Sequence, residues 1–290
     1  MAQLLGCARG TTMTSSRAAI AALLVVFAPS AAGASEHLVA DPPVVVFSAG
    51  PGAMAEATIT ADPARPGHLA AAADPYLGPV RILVATSNDG GATWSEPVTI
   101  LPDGFAKSYD PSLAFDASGD LLVVGGASGR GAAHCQVGSA IFLARVQARG
   151  TSYTLVRDGR ADLAYVDRPA FAMANQRDGQ AYVTWTESSG AGAECLGVPN
   201  RSTTMLARLS RGGSVADTRP IPSSGLAAPF GSAIAVSAGR VVNVAVIERD
   251  NEGGSRLVVV RSRDGGTTLE NPVVVANGPD VDPSMSGLGG

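Results

Sequence analysis

Beginning at Glu56, a phrase of four short apolar runs separated by turn residues recurs about once every 50 to 60 residues, a period typical of sheets repeated around an axis. The second copy reads 110–115 as a strand, 116–120 as a turn and 121–124 as the return, with further strands at 140–146 and 154–157. The third opens at Asp167-Arg168-Pro169, turns at Gly179, returns through 181–186 and continues near 203–209. The fourth reads 232–236, turns at Gly239, returns through 241–247 and continues at 256–260. The first runs from Glu56 through a turn at Pro66-Gly67 to strands at 69–73 and 81–86. Val, Leu, Ile and Ala fill these runs, and Gly, Asp, Asn and Pro bound them. The expected fold is all-β: a β-propeller of four-stranded antiparallel blades. Asp282-Pro283-Ser284-Met285 repeats the opening of the phrase, so four blades and the start of a fifth are expected, in a chain cut short within the ring. Residues 42–47 form one more apolar run upstream, a candidate ring-closing strand.

Composition agrees with many short strands. Gly (35) and Pro (19) are frequent, and the 46 % hydrophobic content supports a buried core. A net charge of −4 gives no basic field for nucleic acid. Lys107 is the sole lysine, an Arg-for-Lys bias that fits a GC-rich bacterial genome.

The N-terminus reads as an export signal over residues 1–34. Arg17 precedes the apolar run 18–27, then Pro29 and the small residues Ala31-Ala32-Gly33-Ala34, which place cleavage after Ala34. The run is too short to span a bilayer of about 30 Å hydrocarbon. Met13 would serve as a more ordinary start, and Leu4-Leu5-Gly6-Cys7 lacks the apolar segment a lipoprotein signal needs. The expected domains are the signal at 1–34, a connecting segment at 35–54 and the propeller at 55–290. The expected location is secreted or periplasmic, with no membrane-spanning segment after cleavage.

Export leaves Cys135 and Cys195. A disulfide, two free thiols and a metal site are the open readings. The disulfide is favoured, because His37 and His68 are remote from His134-Cys135 and there is no C-x-x-C. No metal and no cofactor are expected.

Two segments stand at equivalent places between third and fourth strands. They are Ser87-Asn88-Asp89-Gly90-Gly91-Ala92-Thr93-Trp94 and Ser262-Arg263-Asp264-Gly265-Gly266-Thr267-Thr268-Leu269. Ser87, Asp89 and Thr93, like Ser262, Asp264 and Thr268, carry side chains that can bond nearby backbone, while Gly91 and Gly266 can take φ > 0. Trp94 and Leu269 supply an apolar end. With these segments the chain resembles the Asp-box (BNR) repeat propellers of the sialidase-like superfamily, from about Glu56 to the C-terminus. The resemblance implies a six-bladed ring and hairpins on the face opposite the sialidase active site. It identifies a fold, not a chemistry. Sialidases also carry an Arg-Ile-Pro motif near the first blade, for which this chain has no counterpart, so the first carboxylate-clamping arginine is missing from its expected place.

On the opposite face, Asp74, Glu187 and Glu248 are expected to end equivalent second strands, and Glu56, Asp110, Asp167 and Asp282 to begin first strands. Tyr109, Tyr76, Arg168 and Arg249 lie beside them. The recurring aspartates Asp110, Asp167 and Asp282 are read as turn formers, as is Asp74 before Pro75. Glu187 and Glu248 are read as solvated loop ends before catalysts. Arg168 and Arg249 suit a carboxylate clamp or local pairing; Tyr109 suits stacking on a sugar or packing at a blade seam. The candidate ligand-binding face is therefore Asp74, Tyr109, Arg168, Glu187, Glu248 and Arg249, with no catalytic set assigned. The expected partner is a carbohydrate or a cell-surface protein. Three functions compete: a non-catalytic glycan- or protein-binding propeller, an exo-sialidase-type glycoside hydrolase, and a structural module of a longer surface protein.

Overall fold

A computed structural model describes residues 42–48, 53–75, 79–129, 138–161, 164–174, 179–188, 202–225, 228–237, 239–249 and 254–278. The segment 1–34 read as an export signal, Tyr76, Cys135, Cys195 and Asp282 lie outside them. The chain divides into Met1–Pro42 and Pro43–Gly290, and the second unit holds every described strand.

Among the described residues, sixteen strands form four antiparallel sheets in chain order, arranged as a β-propeller. Blade 1 comprises β1 (Met54–Ala61), β2 (Leu69–Pro75), β3 (Ile82–Ser87) and β4 (Val98–Ile100). Blade 2 comprises β5 (Lys107–Phe115), β6 (Leu121–Ser128), β7 (Ala140–Gln147) and β8 (Gly150–Asp158). Blade 3 comprises β9 (Tyr165–Met173), β10 (Ala181–Ser188), β11 (Ser202–Leu209) and β12 (Val215–Pro220). Blade 4 comprises β13 (Ala228–Val236), β14 (Val242–Arg249), β15 (Ser255–Ser262) and β16 (Val273–Gly278). No helix occurs among the described residues.

Blades pack face to face because their middle strands are apolar on both sides. β6 and β7 send Val123 and Phe142 into the seam with blade 1, and Leu122, Val124, Ile141 and Leu143 into the seam with blade 3. A third seam joins Tyr182 and Leu206 of blade 3 to Val244, Val246 and Val258 of blade 4. Buried serines stitch the same seams. Ser108 Oγ accepts from Ile82 N at 2.9 Å and donates to Ile100 O at 2.5 Å, while Ser139 Oγ accepts from Val166 N at 2.7 Å.

Residues 43–48 enter no ladder among the described residues, and Val45 is 80 % exposed. All four described sheets already have four strands, so none of them takes up this run.

The two Ser-x-Asp segments close as self-bonded hairpins. Ser87 Oγ accepts from Gly91 N at 2.9 Å and donates to Asp89 at 2.8 Å; Asp89 accepts from Thr93 N at 2.9 Å and Thr93 Oγ1 at 2.6 Å. Ser262, Asp264, Gly266 and Thr268 repeat the set at 2.7–2.8 Å. Gly91 (φ 96°) and Gly266 (φ 80°) sit where an L side chain would be strained. Hydroxyl and N–H bonds from Thr93 hold Asp89 down at about 2. Trp94 is half-buried and donates to Gly91 O, and Leu269 joins the blade 3–4 core. The second hairpin also receives the buried Tyr182 hydroxyl at Gly265 O, 3.2 Å away, so it ties blade 4 to blade 3. Ser262→Ala leaves the buried Gly266 N–H without its acceptor. The expected loss is about 1–3 kcal/mol in a urea melt, together with faster amide exchange at Gly266.

Candidate functional site

Every inner strand is broken at the same place. Register shifts fall between Ala55 and Thr58 in β1, between Tyr109 and Ser112 in β5, opposite Thr184–Thr186 in β9, and between Pro229 and Gly231 in β13. At or beside each break the backbone turns to positive φ: Glu56 (50°), Asp110 (54°), Arg168 (53°) and Gly231 (155°). Three of the four are not glycine, and such strain costs roughly 1–3 kcal/mol each. Bulges of this kind re-aim a side chain out of the regular pleat. The bulges line a cleft of about 400 Å³ with Glu56 of β1, Asp110 of β5, Arg168 of β9 and Ser232 of β13, and the exposed Ile247 of the second strand β14 completes its wall.

The cleft is acidic and partly desolvated. Burial, with the neighbouring Asp167 carboxyl and then Glu56, pushes Asp110 up to about 8. The Asp110 and Asp167 carboxyls lie within hydrogen-bonding reach of each other, so the pair favours a proton held between them. Its Oδ2 accepts the backbone N–H of Arg168 at 3.1 Å, so a blade 2 carboxyl holds the bulge of blade 3. Asp167 also accepts the Tyr165 hydroxyl at 2.7 Å and faces Arg168 Nε at 3.7 Å. Burial and the Asp167 charge push the Tyr165 phenol well above its ordinary range. One element back, Asp74 is only 5 % exposed, and burial with the Glu56 charge pushes it up to about 7.

The structure separates the expected face into two groups. Asp74, Glu187 and Glu248 each stand one residue from the end of a second strand, as their spacing implied. Only Asp74 and Arg168 adjoin the cleft. Glu187 is not a solvated loop end: Arg157 of β8 forks onto it (2.7 and 3.0 Å), and Trp185 Nε1 donates to it at 3.0 Å. Glu248 is 2 % exposed and is held by the Ser224 N–H (2.9 Å) and hydroxyl. Arg249, half-buried, ends β14. Tyr109 packs in the seam; its hydroxyl donates to Val166 O at 3.3 Å. Gly126, its cross-strand partner, is what admits the ring, since a Cβ there would lie 2.3 Å from it.

Glu56, Asp110 and Asp167 gain the prominence that Glu187 and Glu248 lose. Asp110 bonds across a blade boundary and not within its own turn. The recurrence of an acid at the blade start was the available signal. The positive φ before Pro111 and Pro169 was hidden, because a residue preceding proline favours extended backbone. Among the described residues no group of three or more His, Cys, Asp or Glu is placed to hold a metal ion, and no helix is long and apolar enough to cross a membrane.

Fold and site together define an all-β propeller with an acidic cleft between its inner strands. No family model matches the chain, and no curated protein does. Among solved structures it is similar to a protein of unknown function from Dyadobacter fermentans (TM-score 0.59, 15 % identity, covering 80 % of this chain and 71 % of that one). It is also similar to a levansucrase from B. megaterium (TM-score 0.51, 11 % identity, 75 % and 68 % covered). A Hadza microbial sialidase aligns more loosely (TM-score 0.44, 14 % identity, 68 % and 46 % covered). At these identities the likeness shows the propeller fold alone.

Proposed function

We propose that this chain is an exported Asp-box propeller of the sialidase-like superfamily that binds a neutral glycan in the cleft between its inner strands. The carrying observation is Asp110: a carboxyl beside Asp167, on a strained bulge at the cleft wall, with burial raising it above the ordinary carboxylate range. An ionised carboxylate accepts from sugar hydroxyls, and a protonated carboxyl can also donate to them. Ile247 supplies an apolar wall for a ring face. A sialate carboxylate would meet the Glu56 and Asp167 carboxyls, with Arg168 the one arginine among the described residues lining the cleft, and like charges disfavour it. Neutral oligosaccharides are thus the favoured ligand class, with a cell-surface glycan as the natural source for an exported protein.

An array of neutral and sialylated oligosaccharides tests this. Wild-type protein is expected to retain neutral oligosaccharides, and Asp110→Asn to weaken them by about tenfold or more, the scale of one buried charge-assisted hydrogen bond. Binding unchanged in Asp110→Asn, or an empty array, would sink the proposal.

One observation favours a second reading, glycoside hydrolysis. A proton-bearing carboxyl next to another carboxyl is the pairing that acid-assisted glycoside cleavage employs. Turnover of a fluorogenic glycoside that disappears in Asp110→Asn would support it, and total inactivity on neutral and sialic acid glycosides would remove it.

A further inference from the structure

The seams between consecutive blades end, on the side away from the Asp110 bulge, in three different ways. Between blades 1 and 2, His68 of the β1–β2 turn stacks on Phe115 with ring centroids 4.6 Å apart, and Arg65 of the same turn donates to Gly119 O at 3.0 Å. Between blades 3 and 4 the blade 4 hairpin forms a cap. The stretch 263–272 separates β15 from β16, long enough for Gly265 to meet Tyr182 and for Leu269 to enter the core. At the equivalent place blade 3 has only the stretch 210–214. It closes on itself, Gly213 N donating to Ser210 O and Ser210 N to Ser214 O, both at 2.8 Å, and it carries no apolar side chain to lay over the seam with blade 2. A cleft of about 430 Å³ remains there, within the range of small-molecule sites.

The floor of this cleft is apolar: Leu122 and Leu143 of blade 2 meet Met173, Ala181 and Leu209 of blade 3. On the blade 2 rim the polar groups bond one another. Arg145 bridges Asp116 and Asp120, Gln147 donates to Asp120 at 2.7 Å, and the N–H groups of Ser118 and Asp120 occupy Asp116. Arg211 stands on the blade 3 rim. Its aliphatic stem lies across Gly179 (φ 63°), where a Cβ would come within 2.5 Å of Arg211 Cγ. The side chain is exposed, and its guanidinium makes no ion pair or hydrogen bond among the described residues.

We propose that this cleft is a second binding site, for an apolar monocarboxylate: the Arg211 fork holds the carboxylate, and the apolar group enters the slot that a longer blade 3 hairpin would close. A guanidinium with open donors takes a carboxylate bidentately, and the branched chain or ring gains by leaving water. The Asp116–Arg145–Asp120 group has one carboxylate in excess of its guanidinium, so it repels a second acid on the ligand. A polypeptide C-terminus with a leucine-like last residue and a free branched-chain acid share this chemistry. The site uses no residue of the proposed glycan cleft, and an empty glycan array leaves it standing.

Amide NMR of the full chain titrated with N-acetyl-leucine tests the site. Saturable shifts are expected at Gly179, Gly212 and Gly213 with a Kd of about 1 mM, the scale for a ligand of roughly a dozen heavy atoms. N-acetyl-leucinamide, which lacks the charge, should bind the wild type at least about tenfold more weakly, as should N-acetyl-leucine with Arg211→Gln, the scale of one charge-assisted pair. 4-Methylpentanoate separates the two sources: tighter binding of N-acetyl-leucine assigns the site to polypeptide ends, and tighter binding of 4-methylpentanoate to free acids. Should Arg211→Gln not fold, the acid and amide compared on the wild type decide. Absence of saturable shifts up to about 20 mM, well past the expected Kd, would overturn the proposal, as would equal binding of acid and amide or wild-type affinity in Arg211→Gln.

Discussion

Trp185→Ala is expected to lower the unfolding free energy by about 3–5 kcal/mol, the range for removing a large aromatic from a packed core. Trp185 is fully buried in β10, packed within the seam that joins blades 2 and 3. The indole does two jobs there. Its ring fills space that the backbone cannot collapse into, because β10 is fixed in a ladder on both sides. Its Nε1 also donates to Glu187, which anchors Arg157 of the preceding blade. Alanine therefore leaves a cavity and removes one of the three groups bonding a largely buried carboxylate. Trp185→Phe separates the two: it retains most of the packing and loses only the N–H, so a loss of about 1–2 kcal/mol is expected. Urea melts of the three proteins measure both values. Equal stability of Trp185→Ala and wild type would mean that the blade 2–3 seam is not packed as described.

The second large effect is a fall in stability toward alkaline pH. Asp74 and Asp110 have pKa values of about 7 and about 8 in the folded chain, against about 3.9 when unfolded. Between those limits the native protein holds protons that the unfolded chain has released. The stability these groups contribute is complete below about pH 3.9 and declines as pH rises, by up to about 1.4 kcal/mol per pH unit for each carboxyl. The decline ends near pH 7 for Asp74 and pH 8 for Asp110. Other carboxylates act in the opposite sense. Asp264, bonded by the N–H and hydroxyl of Thr268, and Asp217, bonded by Arg219, are held below the ordinary range, so what they contribute is lost as pH falls below about 4. Maximum stability is thus expected on the acidic side, near pH 4, where the two sets of slopes cross. Asp110→Asn should flatten the alkaline slope by up to about 1.4 kcal/mol per unit between pH 5 and 8. Denaturant midpoints at a series of pH values provide the check, and a wild-type optimum at pH 8 would contradict the raised carboxyls.

The strands, the four-blade order and the two bonded hairpins were legible in the sequence because each depends on contacts within a few residues. Alternating apolar runs define a strand, and Ser87 reaches Asp89 and Gly91 without leaving its own turn. The places of Asp74, Glu187 and Glu248 near the ends of second strands followed from counting along the repeat. Their environments did not follow. Glu187 is paired with Arg157, thirty residues away, and Glu248 is hydrogen-bonded by a loop serine twenty-four residues away.

The sequence by itself determined the repeating unit, because a β-strand's side-chain alternation and a glycine's φ freedom are local properties. Tertiary structure alone decided which acids face the cleft. Asp110 and Glu187 are both acids near strand ends; one lies on a bulge among inner strands and keeps its proton, the other meets a guanidinium from the preceding blade. Desolvation and opposite charge act through space, and that distance is set only when the blades pack.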